Sequence, residues 1–416
     1  MAKEDGIATK KRPGNVFYIG LLSFFGGISQ DIFVPVLPLY LANVLGLDRA
    51  FIGLSEGLVT SGASIFRVVA GVVSDKFKKR KAVIFVGYFL SLASRPLLAF
   101  VTSGTAILGL RFLDGVGKGV KDAPKSALIA SSAAAKSRGR DFGIARMLDT
   151  LGSVAGPLIL FALLYFFQHS PLQYHYILLF TAVPLLATLG VLIFKVKEAA
   201  PPKDMPVHLA KGNPRTQRAE QSSYDDKKLP RTFYWFLAIA SLFALGNSSD
   251  AFLILRAQNV GVTLLAIPLV FALFNFVYAA ASVPLGSLSD RIGREKVMCI
   301  GWFAYAIAYI GFGLASSAAH IWLLFAFYGI YYATTEGVAK AFIADIVDEE
   351  RRGTAYGIYN TTVGLLTLPA SVVAGFLWDT FNPSTPFYFG AAMSLAAAAL
   401  LLVLMLHRAQ ERAFAR

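Results

Sequence analysis

Apolar residues run along this chain in long stretches separated by short polar breaks, and about 20 such residues in a row cross a bilayer as a helix. Stretches of that length fall at 16–45, 51–73, 82–102, 105–133, 139–168, 173–196, 232–258, 263–288, 296–316, 320–347, 353–378 and 385–406. The pattern predicts an all-α integral membrane protein with twelve transmembrane helices. One connection differs from the rest, because residues 197–231 are polar and rich in Pro, Lys and Arg. It reads as a linker between two six-span halves, residues 1–196 and 232–416. The polar start, up to about Gly14, precedes an apolar run longer than the ~7–15-residue core of a signal peptide, so the first span is expected to be retained.

The halves are copies of one another. Gly71-Val-Val-Ser-Asp75-Lys76-Phe-Lys78-Lys79-Arg80-Lys81 returns 215 positions later as Gly286-Ser-Leu-Ser-Asp290-Arg291-Ile-Gly293-Arg294-Glu-Lys296. Arg138-Gly139-Arg-Asp-Phe142-Gly143-Ile144 returns at an offset of 214 as Arg352-Gly353-Thr-Ala-Tyr356-Gly357-Ile358. Two motifs at nearly one offset imply a duplicated membrane-spanning unit, a common plan among transporters.

Composition agrees with this class. Hydrophobic residues make up 56% of the chain and charged ones 15%, where a soluble domain carries about a quarter charged. Mean hydropathy is +0.59. The net charge of +14 would suit nucleic acid, but the basic residues sit in short loops rather than on one soluble face. Starting inside, the cytoplasmic segments hold Lys10–Arg12, Lys76–Lys81, Lys136–Arg140, the linker, Arg291–Lys296, Arg351–Arg352 and Arg408–Arg416, while the opposite loops hold little beyond Arg49. That asymmetry predicts a multi-pass protein of the cell (inner) membrane with both termini cytoplasmic. One cysteine and five scattered histidines give no disulfide framework and no metal site, and no cofactor is expected. The Gly-rich run from Asp114 to Lys125 lacks phosphate-loop spacing, and no nucleophile–base pair appears, so an enzyme is not expected. The expected partners are lipid, a small-molecule substrate and protons, with the chain a monomer and no nucleic acid bound.

The informative residues are charges inside spans. Arg111, Asp114, Lys118, Asp122 and Lys125 in the fourth span are spaced three or four apart and share one helical face. A charge at mid-bilayer costs about 2.5–3.5 kcal/mol, so this stripe must face protein or a water-filled cavity. Arg111–Asp114, Asp114–Lys118 and Lys118–Asp122 are also helix neighbours able to neutralise one another. At an offset of 214 the tenth span carries Glu336 opposite Asp122, with Tyr328, Tyr332 and Lys340 beside it, and Phe325 where the first half has Arg111. Asp31 lies near the middle of the first span ahead of Pro35 and Pro38, and Asn247 and Asp250 lie in the seventh. An intramembrane acid is a candidate proton acceptor or counter-ion, with Arg67, Arg95, Arg146 or Arg256 as possible structural partners. In the fifth span, Gly143, Gly152, Gly156 and Pro157 suit close helix packing and a bend.

Taken together, these features resemble the major facilitator superfamily over essentially the whole chain. Its motif between spans 2 and 3, G-x-x-x-D-R-x-G-R-R, is matched at Gly71, Asp75, Lys79 and Arg80, with Lys76 and Lys78 in place of Arg and Gly. The second copy, at Gly286, Asp290, Arg291, Gly293 and Arg294, is nearly complete. Arg111 and Gly115 match the family's fourth-span motif, with Asp114 where Gln is usual. Gly143, Gly152, Gly156 and Pro157 match the fifth-span motif, with Leu160 and Phe161 in place of its closing glycines. The resemblance implies twelve helices in two pseudo-symmetric six-helix bundles around one cavity that opens alternately to each side. Its fifth-span motif is similar to that of drug–proton antiporters and implies proton-coupled export of a small organic molecule. The surplus of embedded basic residues supports an alternative, an uptake or facilitative carrier for a carboxylate or phosphate ester.

Three expectations follow. Asp31, with Arg111 as competing cation and Asp114 as alternative, is the coupling site. Spans 1, 4, 7 and 10 wall the cavity through Lys118, Asp122, Asn247, Asp250, Tyr328, Tyr332, Glu336 and Lys340, with Phe274 and Tyr359 as further aromatic cover. Asp75 and Asp290, in the two copies of the loop motif, sit near a helix terminus of the neighbouring bundle and gate the cytoplasmic side.

Overall fold

A computed structural model of the protein describes residues 13–77, 79–132, 138–198, 229–348 and 351–414. Most of the linker expected at 197–231 lies outside the described residues. All regular structure described is helical. In chain order the helices are α1 (Pro13–Asn43), α2 (Arg49–Phe77), α3 (Arg80–Leu97), α4 (Gly104–Ser132), α5 (Arg138–Phe166), α6 (Gln173–Phe180) and α7 (Ala182–Phe194). The second half holds α8 (Arg231–Gly246), α9 (Ala251–Asn259), α10 (Ile267–Ile292), α11 (Arg294–Leu314), α12 (Ala318–Ile346), α13 (Arg352–Thr380) and α14 (Thr385–Phe414).

These make twelve spans, because α6 and α7 together form the sixth and α8 and α9 the seventh. The apolar run at 232–258 suggests one unbroken helix, yet the chain leaves helical geometry at Asn247-Ser248-Ser249-Asp250. Short polar side chains compete for the backbone and so interrupt helices. Here the amide of Ser249 bonds Ser371 Oγ at 3.1 Å and that of Ala251 bonds Ser249 Oγ at 3.3 Å.

Among the described residues, ten spans are long and apolar enough to cross a membrane by length and composition. The fourth and tenth spans, α4 and α12, are absent from that set. They carry the charge stripe and the tyrosines, residues that only an aqueous or protein-lined position would favour.

Helix pairings inside the first half recur in the second. The α1–α5, α2–α4, α3–α4, α1–α7 and α3–α7 pairs correspond to α8–α13, α10–α12, α11–α12, α8–α14 and α11–α14. This is the pseudo-two-fold plan that the sequence repeat implies. The halves meet through α2–α13 and α5–α10, which the same pseudo-symmetry exchanges, and through α1–α9.

The contact between halves is uneven along the helices. Alternation of the spans puts the connections after spans 2, 4, 8 and 10 on one side, here called the basic-loop face. Towards the opposite face, the first half of α2 lies on the last half of α13. Gly53 abuts the Ser371 carbonyl, and Gly375 abuts the backbone of Arg49 and Ala50. A Cβ on Gly57 would sit 2.5 Å from Leu368 Cα. Small residues at this crossing bring backbones together and close the opposite face.

Candidate transport cavity

A cavity of about 910 Å³ runs from mid-depth to the basic-loop face. Its walls come from both halves: α1 between Ser23 and Asp31, α2 between Val59 and Arg67, the far half of α4, the near half of α5, and α12 and α13 beyond Glu336. Among its lining residues, Arg67, Lys118, Lys121, Lys125, Arg146 and Lys340 oppose Asp31, Asp122, Asp149 and Glu336. Six positive and four negative charges leave the described lining at +2 when all are ionised.

Asp31 reaches this wall because of the α1–α5 crossing. A Cβ on Gly156 would meet Asp31 Cβ at 2.8 Å, and Gly152 abuts the Phe24 backbone. The fifth-span glycines thus let α5 lie directly against the acid, with Pro157 inside the helix just beyond. Gly143, at the basic-loop end of α5, has open space where a side chain would stand.

Behind the wall lies a buried charge cluster. Arg95 of α3 donates to Asp114 of α4 at 2.9 Å, to Ser29 Oγ at 3.1 Å and to Gln30 Oε1 at 2.6 Å. Arg111 donates to Glu56 of α2 at 2.5 Å, and both Arg111 and Lys118 place a nitrogen 3.7 Å from Asp114. Arg95 and Arg111 also lie over the Phe33 ring, at 5.1 and 5.3 Å from its centroid. Asp114 is fully buried and Arg111 is 2% exposed, so neither lines the cavity. Arg111, expected as the cation competing with Asp31 at the coupling site, lies behind the cavity wall, paired with Glu56.

Asp122 faces the cavity but pairs with Arg67 of α2 at 3.1 Å rather than with Lys118. Across the cavity its repeat partner Glu336 also bonds the second helix of its own half, accepting from the Tyr278 hydroxyl of α10 at 2.6 Å. Tyr278 in turn accepts from Arg146 of α5 at 3.3 Å, and Arg146 pairs with Asp149 at 3.2 Å. With Lys340 at 3.4 Å from Glu336, a continuous polar chain links the two halves.

Asp250, Asn247, Tyr328 and Tyr332, expected on this wall, lie outside it. Asp250 accepts hydrogen bonds from Tyr328 at 2.9 Å and Tyr332 at 3.1 Å, within an aromatic group that includes Phe274, Tyr305, Tyr309 and Tyr331. Asn247 closes α8. The seventh span contributes nothing to the lining because the opposite face is shut over it; spans 2, 5 and 11 line the cavity instead, with Tyr359 on α13. Arg256, a possible partner of Asp250, instead donates to the carbonyls of Phe312, Gly313 and Ala315.

The loop motifs sit at the rim. Arg294 pairs with Asp290 and with Asp345 of α12 at 3.3 Å, all within the second half. Arg291 and Lys79 are exposed, Gly293 takes a φ of 103°, and Arg80 donates to Ala127 O and Ser131 Oγ of α4. A Cβ on Gly71 would lie 3.7 Å from Ala123. The side chain of Asp75 lies outside the described residues. A second cavity of about 840 Å³ separates α5 from α10, lined by Gly143, Arg146, Gly286, Asp290, Arg294 and Tyr332 among others. Asp290 makes its ion pair inside its own half, while Arg146 and Tyr278 bridge the halves beside this cavity.

Glu56, Tyr278 and Asp149 carry much of this geometry without having stood out in the sequence. Each sits among other polar residues of its span with no distinctive spacing, and only the fold brings it to the α4 stripe or its repeat.

The model of the Major Facilitator Superfamily matches residues 19–255 and 234–415. An uncharacterized MFS-type transporter of Methanocaldococcus jannaschii is 35% identical over 394 residues, which cover 93% of this chain and 94% of that protein. The multidrug resistance protein MdtL of Shewanella oneidensis is 27% identical over 38% of this chain and 40% of its own length. Among solved structures, a D-xylose-proton symporter superposes with a TM-score of 0.74 at 18% identity, covering 93% of this chain and 97% of that one. That likeness is one of fold.

Proposed function

Because the chain belongs to the major facilitator superfamily and is a membrane transporter rather than an enzyme, we propose that it is a proton-coupled carrier of a small organic molecule. It works by alternating access as a monomer, with units 1–196 and 232–416 moving about the cavity. The observation that carries the reading is Asp31. It is an acid at mid-span on the cavity wall, set against α5 by Gly156 and sharing the cavity with Lys118 of α4. Its surroundings would change from wet to dry as the halves rock, which is what coupling to a proton requires.

The basic loops suit a cytoplasmic side, which makes this the state open to the cytoplasm, in a cell (inner) membrane with both termini inside. Export in exchange for protons is supported by the fifth-span motif and by the partial likeness to a multidrug resistance protein. Uptake of an anion is the second reading, and the +2 balance of the lining favours it.

Reconstituted transport under an imposed pH gradient tests the proposal. The unmodified protein should accumulate substrate against its gradient, and Asp31→Asn should only equilibrate it. Uphill transport by Asp31→Asn would remove Asp31 as the coupling site. Indifference of the unmodified protein to the pH gradient would replace proton coupling with facilitated diffusion.

A further inference from the structure

Lys121 and Lys125 project from α4 one helical turn apart, both into the cavity. Like charges at that spacing repel, and a folded protein gains nothing by holding them together without a counter-charge. Among the described residues, neither lysine makes an ion pair or a hydrogen bond. The carboxylates around them are already engaged. Asp114 holds Arg95, Arg111 and Lys118, Asp122 holds Arg67, and Asp149 holds Arg146.

Lys121 is nonetheless held in place. Its Nζ lies 4.6 Å from the Tyr88 ring centroid, a cation–π distance, and Tyr88 is anchored through its hydroxyl to the Leu22 carbonyl. The position depends on a close crossing of α3 and α4. A Cβ on Gly87 would meet the Gly117 carbonyl at 2.7 Å and Lys121 Cβ at 2.8 Å. The crossing thus brings Tyr88 under a lysine that makes no ion pair among the described residues.

We infer that Lys121 and Lys125 bind the anionic group, a carboxylate or phosphate, of the transported molecule. Tyr88 braces Lys121 for that contact. Lys118, one turn towards mid-depth, is committed to Asp114 and sets the inner limit of the anion site. The rest of the ligand is organic, because the cavity of about 910 Å³ far exceeds an inorganic anion and its other wall offers Val59, Ala63, Val363 and the Tyr359 ring. The inference rests on this cavity being the transport path, and it holds for either direction of transport.

The test is thermal stabilisation and titration of the full chain in nanodiscs, with phthalate as the carboxylate probe, glucose 6-phosphate as the phosphate probe and tetraphenylphosphonium as the cation. At least one anion should raise Tm at millimolar concentration, and the responding probe assigns the headgroup. Lys121→Met/Lys125→Met should weaken that binding roughly ten- to a hundredfold, the loss of a hydrogen bond to a charged group. Lys121→Arg/Lys125→Arg should retain it. Without ligand, the Met variant should be at least as stable as the parent, because a repulsion is removed. A lower ligand-free Tm would instead make the lysines structural and overturn the proposal. So would stabilisation by the cation alone, by no anion at all, or by an anion equally in the Met variant. Anion binding that persists while liposomes show no transport would sink the carrier reading and leave the anion site standing.

Discussion

The Asp379 carboxylate at the end of α13 accepts the backbone N–H groups of Arg49 and Ala50 at 2.8 and 2.9 Å. These are donors at the start of α2, which a helix leaves without internal partners. An acid from one half therefore caps a helix of the other, where the helix dipole also favours negative charge. Parting α2 from α13 at the opposite face would break this bond. Removing a cap costs about 0.5–2 kcal/mol, so Asp379→Ala should shift the population away from this state by roughly two- to thirtyfold. A cysteine placed at Thr367 on the cavity wall reports the shift, since the one native cysteine, Cys299, is buried. Its labelling from the basic-loop face should fall. Unchanged labelling would mean the cap does not distinguish the states.

Gly57 offers a harsher test of the same face. Its would-be Cβ meets backbone, Leu368 Cα at 2.5 Å, and no rotamer change can relieve that clash. Gly57→Leu should hold α2 and α13 apart and trap the carrier away from the state seen here. Transport should be lost while the ligand-free Tm stays near that of the parent, because the clash disappears once the halves separate. Transport retained at parental rate would show that this crossing need not close.

Asp114 is the keystone of the buried cluster, with Arg95, Arg111 and Lys118 all directed at it. Breaking a buried ion pair from one side costs about 3–5 kcal/mol, because the remaining charges lose their partner inside a low dielectric. Asp114→Asn should therefore lower Tm sharply, more than any cavity-facing charge substitution. Asp114→Leu combined with Arg95→Leu should recover part of the loss by removing the most closely paired cation as well. Equal destabilisation by the single and double changes would show that Arg95 and Asp114 are not energetically coupled.

Much of this architecture is legible along the chain because span length and helical phase are local properties. The twelve apolar runs, the two loop motifs and the stripe from Arg111 to Lys125 need no knowledge of neighbours. Lateral placement is another matter. That Arg111 lies behind the wall depends on Glu56 arriving from α2, and that Asp250 meets Tyr328 and Tyr332 rather than Arg256 depends on the depth of each residue after the seventh span breaks. The break itself hides in a run whose average hydropathy remains high. On the alternating-access reading, the choice between closed faces is hidden for a deeper reason, since one sequence would have to stabilise both states to within a few kcal/mol.

Proton and substrate should be linked in sign through Asp31. Lys118 of α4 and Asp149 and Ser153 of α5 share the cavity wall with this carboxyl, and Arg95 of α3 bonds the adjacent Ser29 and Gln30. Protonating it moves the described lining from +2 to +3, one negative charge fewer among six positive and four negative. An anion at Lys121 and Lys125 should then bind more tightly, and by reciprocity the anion should favour the protonated carboxyl. Coupling of this kind commonly amounts to ~1–3 kcal/mol, or roughly five- to 150-fold in affinity. Titrating the responding anion probe from alkaline to acidic pH should therefore lower its Kd within that range. Asp31→Asn, fixed in the neutral form, should bind tightly at every pH. If a proton gradient directed into proteoliposomes then drives the anion inward with it, uptake, the second reading, replaces export. If affinity instead falls on acidification, proton and substrate exclude one another and export by exchange is the surviving reading. If affinity is flat across the range in the unmodified protein, Asp31 does not couple the two.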